Sequence, residues 1–457
     1  MLTYEIKKKP GLPLYEALYR CIREDILSGV LQPGQKLPSK RALATNLEVS
    51  KITVEGAYGQ LLAEGYIRAA EKVGYFVEQI DRGQAKPVSA PHTPDPAGFL
   101  WDIDLVSNGS VDFPFSVWSK LQRQIMLDMG EALLQPLPNR GAWSLRCAIA
   151  EHLAGFRGMQ VSPENILIGA GTDFLYNLLI QLLGRDKIYA VEEPGYGKIR
   201  ALYAAGGVKC ISAPMDAAGV LPDALTNAQV LHISPSHHFP TGLVTPMGRR
   251  QELLQWASAQ ENRYIIEDDY DSEFRFNAQP MPTLQSLDRA GRVIYMNTFS
   301  KSLAPSIRIS YMVLPSELME AFQKKLGFYS CTVPSFEQYT LERFLSGGYF
   351  EKHINRMRKA YKSIRNHLVA VLTESPFASR LSILEQNAGL HFLLKIDTDL
   401  TDEALVQRCA AVGIRVQSLN NYYHTDAPKK DSHCLVINYS GLRKEQIDLL
   451  AEKLLAL

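Results

Sequence analysis

Lys301 stands between two serines in the run Asn297-Thr298-Phe299-Ser300-Lys301-Ser302-Leu303-Ala304-Pro305-Ser306-Ile307-Arg308, and Arg308 follows it closely. Just upstream, Val293-Ile294-Tyr295-Met296 is an unbroken apolar run, the pattern of a strand buried on both faces. A lysine at the end of such a strand, with hydroxyls and a cation near it, suits a Schiff base to an aldehyde cofactor that carries a phosphate. The same residues on their own also fit a solvated loop.

Four further polar clusters follow apolar runs. Gly169-Ala170-Gly171-Thr172-Asp173 opens a helical pattern, and a glycine turn at a helix N-terminus either binds a phosphate or is only a turn. Glu192-Glu193-Pro194-Gly195-Tyr196 brings an aromatic ring to a surface turn. Ser234-Pro235-Ser236-His237-His238-Phe239-Pro240-Thr241-Gly242 holds adjacent histidines, whose side chains diverge too much to favour a shared metal. Glu267-Asp268-Asp269-Tyr270-Asp271-Ser272-Glu273 is rich in carboxylates. That cluster is a solvated loop, a divalent-metal site, or a buried Asp that keeps a pyridine nitrogen protonated.

The elements that must position these clusters are strands at Ile166–Ile168, Lys187–Val191, Val230–Ile233, Tyr264–Ile266, Val293–Met296 and Ser310–Leu314, with helices such as Phe174–Leu183 and Gly248–Ala259 between them. Alternation of this kind predicts an α/β domain with a mostly parallel sheet and a ligand at the strands' carboxyl ends.

The first eighty residues have a different rhythm. Leu14, Leu18, Ile22, Ile26 and Leu27 give Pro13–Ser28 a helical stripe, closed by Gly29. Ser39 can cap a second helix through Leu47, with Leu43, Ala44 and Leu47 inward. Ser50 can cap a third, with Val54, Ala57, Tyr58, Leu61 and Leu62 inward. Tyr66–Arg68 and Gly74–Val77 then read as a hairpin. Three helices and a hairpin predict a winged helix-turn-helix. Its third helix would present Ser50, Lys51 and Thr53 to a major groove, while Lys36, Lys40, Arg41 and Lys72 contact phosphates. Residues 1–78 hold 11 Lys and Arg against 9 Asp and Glu, so a helical interaction domain with solvated charges is the competing reading.

Residues 79–99 carry four prolines and few apolar residues, which predicts a semi-rigid linker. The expected division is therefore 1–78, 79–99 and 100–457. The last part would hold a large subdomain at about 140–325 and a small one at about 326–457. A net charge of +1 over 457 residues excludes a long basic tail but not a local basic face. The six cysteines are scattered without a CxxC pair, so reduced thiols are expected rather than disulfides or zinc. No stretch reads as a signal peptide or membrane span, and a cytoplasmic location is expected.

Family resemblance joins these parts. Leu31-Gln32-Pro33-Gly34-Gln35-Lys36-Leu37-Pro38-Ser39-Lys40-Arg41-Ala42-Leu43-Ala44, Val49-Ser50-Lys51-Ile52-Thr53-Val54 and Leu61–Ile67 resemble the DNA-binding domain of the GntR regulators. From residue 101 onward the clusters resemble fold-type-I aminotransferases, which use pyridoxal 5′-phosphate (PLP). The combination resembles the MocR/GabR-like subfamily. The implied fold is a winged helix-turn-helix plus an aminotransferase-like domain with a smaller C-terminal α+β subdomain.

The resemblance implies that Lys301 carries the cofactor and that Asp268 pairs with its ring nitrogen. Tyr270 would bond the 3′ oxygen, with His237 or His238 near it, and Tyr196 would stack on the ring. Gly171, Thr172, Asp173, Thr298, Ser300 and Arg308 would hold the phosphate. No metal is expected. It further implies a head-to-tail homodimer on double-stranded operator DNA, and a regulator that responds to PLP or to an amine reacting with it, controlling vitamin B6 or amine metabolism. The alternative is a PLP-dependent aminotransferase with an accessory DNA-binding domain. The chain departs from the family at Val436, where aminotransferases place a carboxylate-gripping arginine, and at Lys51, where GntR regulators usually have arginine. Without that clamp an α-amino acid is a poorer candidate ligand.

Overall fold

The computed structural model describes residues 2–4, 13–80, 101–107, 113–276, 281–376, 378–385, 389–424 and 431–454. The linker expected at 79–99 lies outside the described residues from 81 onward. The chain divides into two compact units, Met1–Gly98 and Phe99–Leu457.

The first unit contains α1 (Leu14–Ser28), α2 (Lys40–Asn46) and α3 (Lys51–Ala63), followed by the antiparallel pair β1 (Ile67–Ala70) and β2 (Gly74–Val77). Gly29 ends α1 at φ 83°, a left-handed turn that a side chain would strain. The hydroxyls of Ser39 and Ser50 accept from the N–H groups of Ala42 and Thr53, so each serine caps its helix. Leu18, Ile22, Ile26, Leu43, Val54, Tyr58, Leu61, Ile67 and Val77 form one core. Leu27 is exposed, contrary to expectation, because the helical turn carries it just past the buried stripe. Leu47 and Leu62 reach only the core's edge.

The second unit contains β3 (Ile103–Asp104), β4 (Ile166–Gly169), β5 (Ile188–Glu193), β6 (Lys209–Asp216), β7 (Gly219–Val220), β8 (Val230–Ile233), β9 (Tyr264–Asp268), β10 (Val293–Thr298), β11 (Ser310–Val313), β12 (Leu381–Leu384), β13 (His391–Ile396), β14 (Ile414–Arg415), β15 (Gln417–Ser418) and β16 (Cys434–Asn438). The main sheet has the order β4-β11-β10-β9-β8-β5-β6-β7. Strands β6, β5, β8, β9 and β10 are mutually parallel, and β11 runs against β10 and β4. Strand β6 was not anticipated. It is largely unburied, and its apolar residues are interrupted by Ser212 and Pro214, so no apolar run betrays it.

Strand β10 shows why the centre reads as continuously apolar. Tyr295 packs on one face with Ile149, Leu153 and Tyr311, while Ile294 and Met296 pack on the other with Leu179 and Phe322. Burying such a side chain contributes roughly 1.5–3 kcal/mol relative to exposure. The order β12-β13-β16-β15 gives a second, antiparallel sheet. With the helices Tyr349–Glu374 and Lys444–Leu454 it forms the small α+β subdomain. All six cysteines are free, and no described helix is long and apolar enough to cross a membrane.

Candidate functional site

Strand register brings the polar clusters to one sheet edge. Met296 lies opposite Asp268, Ile233 opposite Glu267, Thr298 opposite Ser310, and Ser310 opposite Gly169. The loops that leave these ends surround a cavity of about 400 Å³. Lys301, Asp268, Tyr270, Tyr196, Thr172, Asp173, Thr298, Ser300 and Arg308 all line it.

Lys301 sits on a short helix, Phe299–Ser302, that begins where β10 ends. Burial pushes its ammonium down to about 8, against the opposing pull of Asp271 and Asp268. A neutral amine near neutral pH is the form that attacks an aldehyde. Its Nζ stands 6.0 Å from the Tyr270 ring centroid.

Asp268 is buried, and its Oδ2 accepts a 2.5 Å hydrogen bond from the Tyr176 hydroxyl. His232 Nε2 is 3.6 Å away, and His232 is oriented in turn by Tyr203 at 2.7 Å. Asp268 Oδ1 is buried without a hydrogen-bond partner. A fixed carboxylate with one oxygen unpaired suits a protonated ring nitrogen. Tyr176, Tyr203 and His232 were not identified from sequence, since each is embedded in an apolar helix or strand pattern.

The histidine pair separates, as adjacent side chains should. His237 Nδ1 lies 2.8 Å from Asp271 Oδ2 and 3.3 Å from the Tyr270 hydroxyl. His238 bonds Thr241 at 2.7 Å and approaches Glu192, and burial pushes it down to about 3. His237 is therefore the one beside Tyr270. His391, on β13, brings its ring centroid within 4.5 Å of that of His237. His237, Asp271 and His391 place three donor atoms within 4.8 Å of one another, a combination able to take a metal and different from the carboxylate run considered from sequence. Its third member comes from the other sheet, so no local spacing could reveal it.

At the opposite end, Gly171 has φ +90°, and a Cβ there would come within 2.2 Å of the Arg308 guanidinium. The residue must be glycine for Arg308 to lie across the N-terminus of the Thr172–Leu183 helix. Ser300 Oγ is buried and unpaired. Two expected anion contacts are differently engaged. The Asp173 carboxylate lies 2.7 Å from Lys198 and 3.6 Å from Arg308, so it holds cations, and only its N–H can face an anion. The Thr298 hydroxyl accepts from Ser300 N–H and from Ser310 Oγ at 2.8 Å, bracing the turn that carries Lys301.

The carboxylate cluster is neither solvated nor convergent. Glu267 accepts from the N–H groups of Leu284 and Gln285, and burial pushes it up to about 7. Asp269 takes Arg157 at 2.8 Å and the Tyr295 hydroxyl at 2.7 Å. Glu273 is pushed up to about 8 by burial. Val436 lies buried beside Leu393 and Tyr422. The cavity's described lining holds three Lys and Arg side chains, Lys198, Lys301 and Arg308.

In the first unit, Arg41, Lys51 and Lys72 are exposed, and Lys36 is exposed beside the wing. Lys40 and Lys51 share Glu55, at 3.8 and 3.4 Å. Ser50 Oγ is 2.8 Å from Thr53 Oγ1, so both hydroxyls already have partners in the cap. Ile52, 79% exposed on the first turn of α3, was not singled out from the sequence. An outward apolar residue there suits a thymine methyl.

Comparison with known proteins follows the same division. Residues 14–77 match the bacterial regulatory proteins of the gntR family, and residues 102–454 match aminotransferase class I and II. An uncharacterised helix-turn-helix transcriptional regulator of Bacillus subtilis, YdeL, is 37% identical, covering 98% of this chain and 97% of its own. The probable rhizopine catabolism regulatory protein MocR of Rhizobium meliloti is 30% identical over 99% of this chain and 96% of its own. The pyridoxine biosynthesis transcriptional regulator PdxR of Corynebacterium glutamicum is 31% identical over 88% and 87%. An archaeal alanine:glyoxylate aminotransferase structure superposes with a TM-score of 0.68 at 24% identity, over 77% of this chain and 89% of that one, which shows the shared fold.

Proposed function

Since this chain belongs to the MocR-like GntR regulators, a gntR-type DNA-binding domain fused to an aminotransferase class I and II domain, we propose that its DNA binding responds to PLP or to an amine that reacts with bound PLP. The observation that carries this reading is the matched set of unpaired groups around one cavity. Asp268 Oδ1 and Ser300 Oγ are buried without partners, and Gly171 leaves room for Arg308 where a phosphate would rest. These groups fit PLP at the ring nitrogen, the phosphate and the aldehyde. When bound, PLP supplies an aldehyde that condenses with amines and a ring that withdraws electrons.

The chain's residues supply the rest. Lys301 is the amine that holds the aldehyde carbon. Asp268, steadied by Tyr176 and His232, keeps a proton on the ring nitrogen. Arg308, Ser300, Thr172 and the N–H groups of Gly171 to Asp173 bind the phosphate, with Thr298 bracing them from below. Tyr270, with His237 beside its hydroxyl, would hold the 3′ oxygen, and Tyr196 would cover a ring face. Lys36, Lys40, Arg41 and Lys72 grip the DNA backbone, and Ser50, Lys51 and Thr53 open the helix in the major groove.

We place the protein in the cytoplasm as a head-to-tail homodimer, its DNA-binding heads at 1–78 joined by 79–99 to the PLP-binding part at 100–457. Ligand then shifts the heads' placement on paired half-sites, to the extent that it binds two arrangements with different affinity. The pyridoxine-biosynthesis role named for PdxR makes vitamin B6 or amine metabolism the natural target. A second reading, a PLP-dependent aminotransferase with an accessory domain, is favoured by the intact set Lys301, Asp268 and Tyr270. The buried Val436, which offers no charge to a carboxylate, weighs against it.

The test is addition of PLP to cofactor-free protein, followed by borohydride. The expected result is a new absorbance band and a reduced adduct mapped to Lys301. Absence of both would remove the reading.

A further inference from the structure

The wall of the cavity next to Lys301 is built to accept hydrogen bonds. His391 projects from β13 into the cavity lining, and its ring bonds the Pro240 carbonyl. A carbonyl only accepts, so that ring nitrogen carries the proton. The other nitrogen, Nε2, is buried without a partner and must present a lone pair. Burial, reinforced by His237, His238 and Lys301, holds this imidazole well below its ordinary value, which keeps that lone pair free.

His237 repeats the arrangement. Its Nδ1 sits 2.8 Å from a carboxylate oxygen of Asp271, an acceptor, and its Nε2 is likewise buried and unpaired. The Lys and Arg side chains in the described lining leave nothing to balance a carboxylate on this side. Arg308 lies at the anion end, Lys198 pairs with Asp173 there at 2.7 Å, and Lys301 is the reactive amine. Of the two histidines, His391 lines the cavity, and a stranded acceptor there is costly unless a donor meets it.

We propose that the effector is an amine carrying a second hydrogen-bond donor, a diamine or an amino alcohol without a carboxylate, whose distal group donates to Nε2 of His391. This rests on the PLP reading above and narrows it to a ligand class. His391 acts here as a specificity residue, and the contact is non-covalent. The same donors could instead take a divalent cation. The 2.8 Å approach of His237 to Asp271 is a closed hydrogen bond, which favours the donor reading.

The test uses full-length, PLP-loaded protein titrated calorimetrically with 1,5-diaminopentane, 5-amino-1-pentanol, 1-aminopentane and 5-aminopentanoate, with the cofactor absorbance followed in parallel. The expected result is that the diamine or the amino alcohol binds about tenfold or more tightly than the monoamine and the carboxylate. His391→Phe should erase that preference and spare monoamine binding. His391→Gln, which keeps an acceptor, should restore part of it. Equal or tighter binding of 5-aminopentanoate would overturn the proposal. So would a preference that survives in His391→Phe, or a zinc titration that saturates one site and is lost in that variant while no amine discriminates. Absence of a cofactor band at the outset would overturn the PLP reading itself, and this inference with it.

Discussion

The cavity of the large unit and the outer face of α3 both carry polar groups, yet they are built on opposite terms. Beside the cavity several polar groups are buried and already held in place. Asp268 is fixed by Tyr176, His237 by Asp271, and Asp269 by Arg157. On α3 the polar groups are exposed and share partners loosely, as Lys40 and Lys51 share Glu55. Exposed pairs of this kind contribute roughly 0–1 kcal/mol and are easily exchanged for phosphate contacts. A preset site should lose its function through one change, whereas an adaptable face should need several.

The sharpest way to break this contrast is Lys301→Ala. We expect complete loss of the borohydride-trapped adduct with the fold retained, read by mass spectrometry and circular dichroism. An undiminished adduct would move the chemistry to another lysine. Next in size, Lys51→Ala with Arg41→Ala should abolish specific operator binding in a mobility-shift assay and leave the PLP absorbance unchanged. Each single change should only weaken binding and lower its salt dependence. Asp268→Asn removes a charged acceptor and should weaken PLP retention about tenfold or more, measured by equilibrium dialysis.

A pH profile sharpens the comparison further. PLP capture by cofactor-free protein needs the neutral amine, so its rate should rise through about 8 rather than through the ordinary lysine value of 10.5. A profile that keeps climbing to pH 10 would mean that Lys301 is not desolvated. The smallest effect belongs to the first unit. Ser50→Ala removes the α3 cap and should cost that unit about 1 kcal/mol in denaturant unfolding.

The sequence revealed this architecture unevenly, for physical reasons. Strands β4, β8, β9 and β10 were legible because they are buried on both faces, and each ends in a polar cluster that breaks the apolar run. Those breaks also marked Lys301, Asp268, Tyr270 and Arg308. The residues that steady them were hidden. Tyr176 lies in a helix that reads as apolar core, and His232 lies inside a strand. His391 reaches the cavity from a different sheet, and only tertiary packing sets it beside His237. Asp173 was read by position rather than by charge, and its carboxylate proved to hold Lys198 and Arg308. In the first unit the caps and the core stripe were local and therefore readable, apart from Leu27 at the stripe's margin.

The central claim is that ligand at the buried site changes what the exposed face does on DNA. The most direct measurement is binding of the purified, cofactor-free protein to its own upstream region, with and without added PLP, by footprinting and by titration. A PLP-dependent change in affinity or footprint, absent in Lys301→Ala, is the predicted result. Unchanged DNA binding with PLP demonstrably bound, and no change on adding amines, would contradict the account.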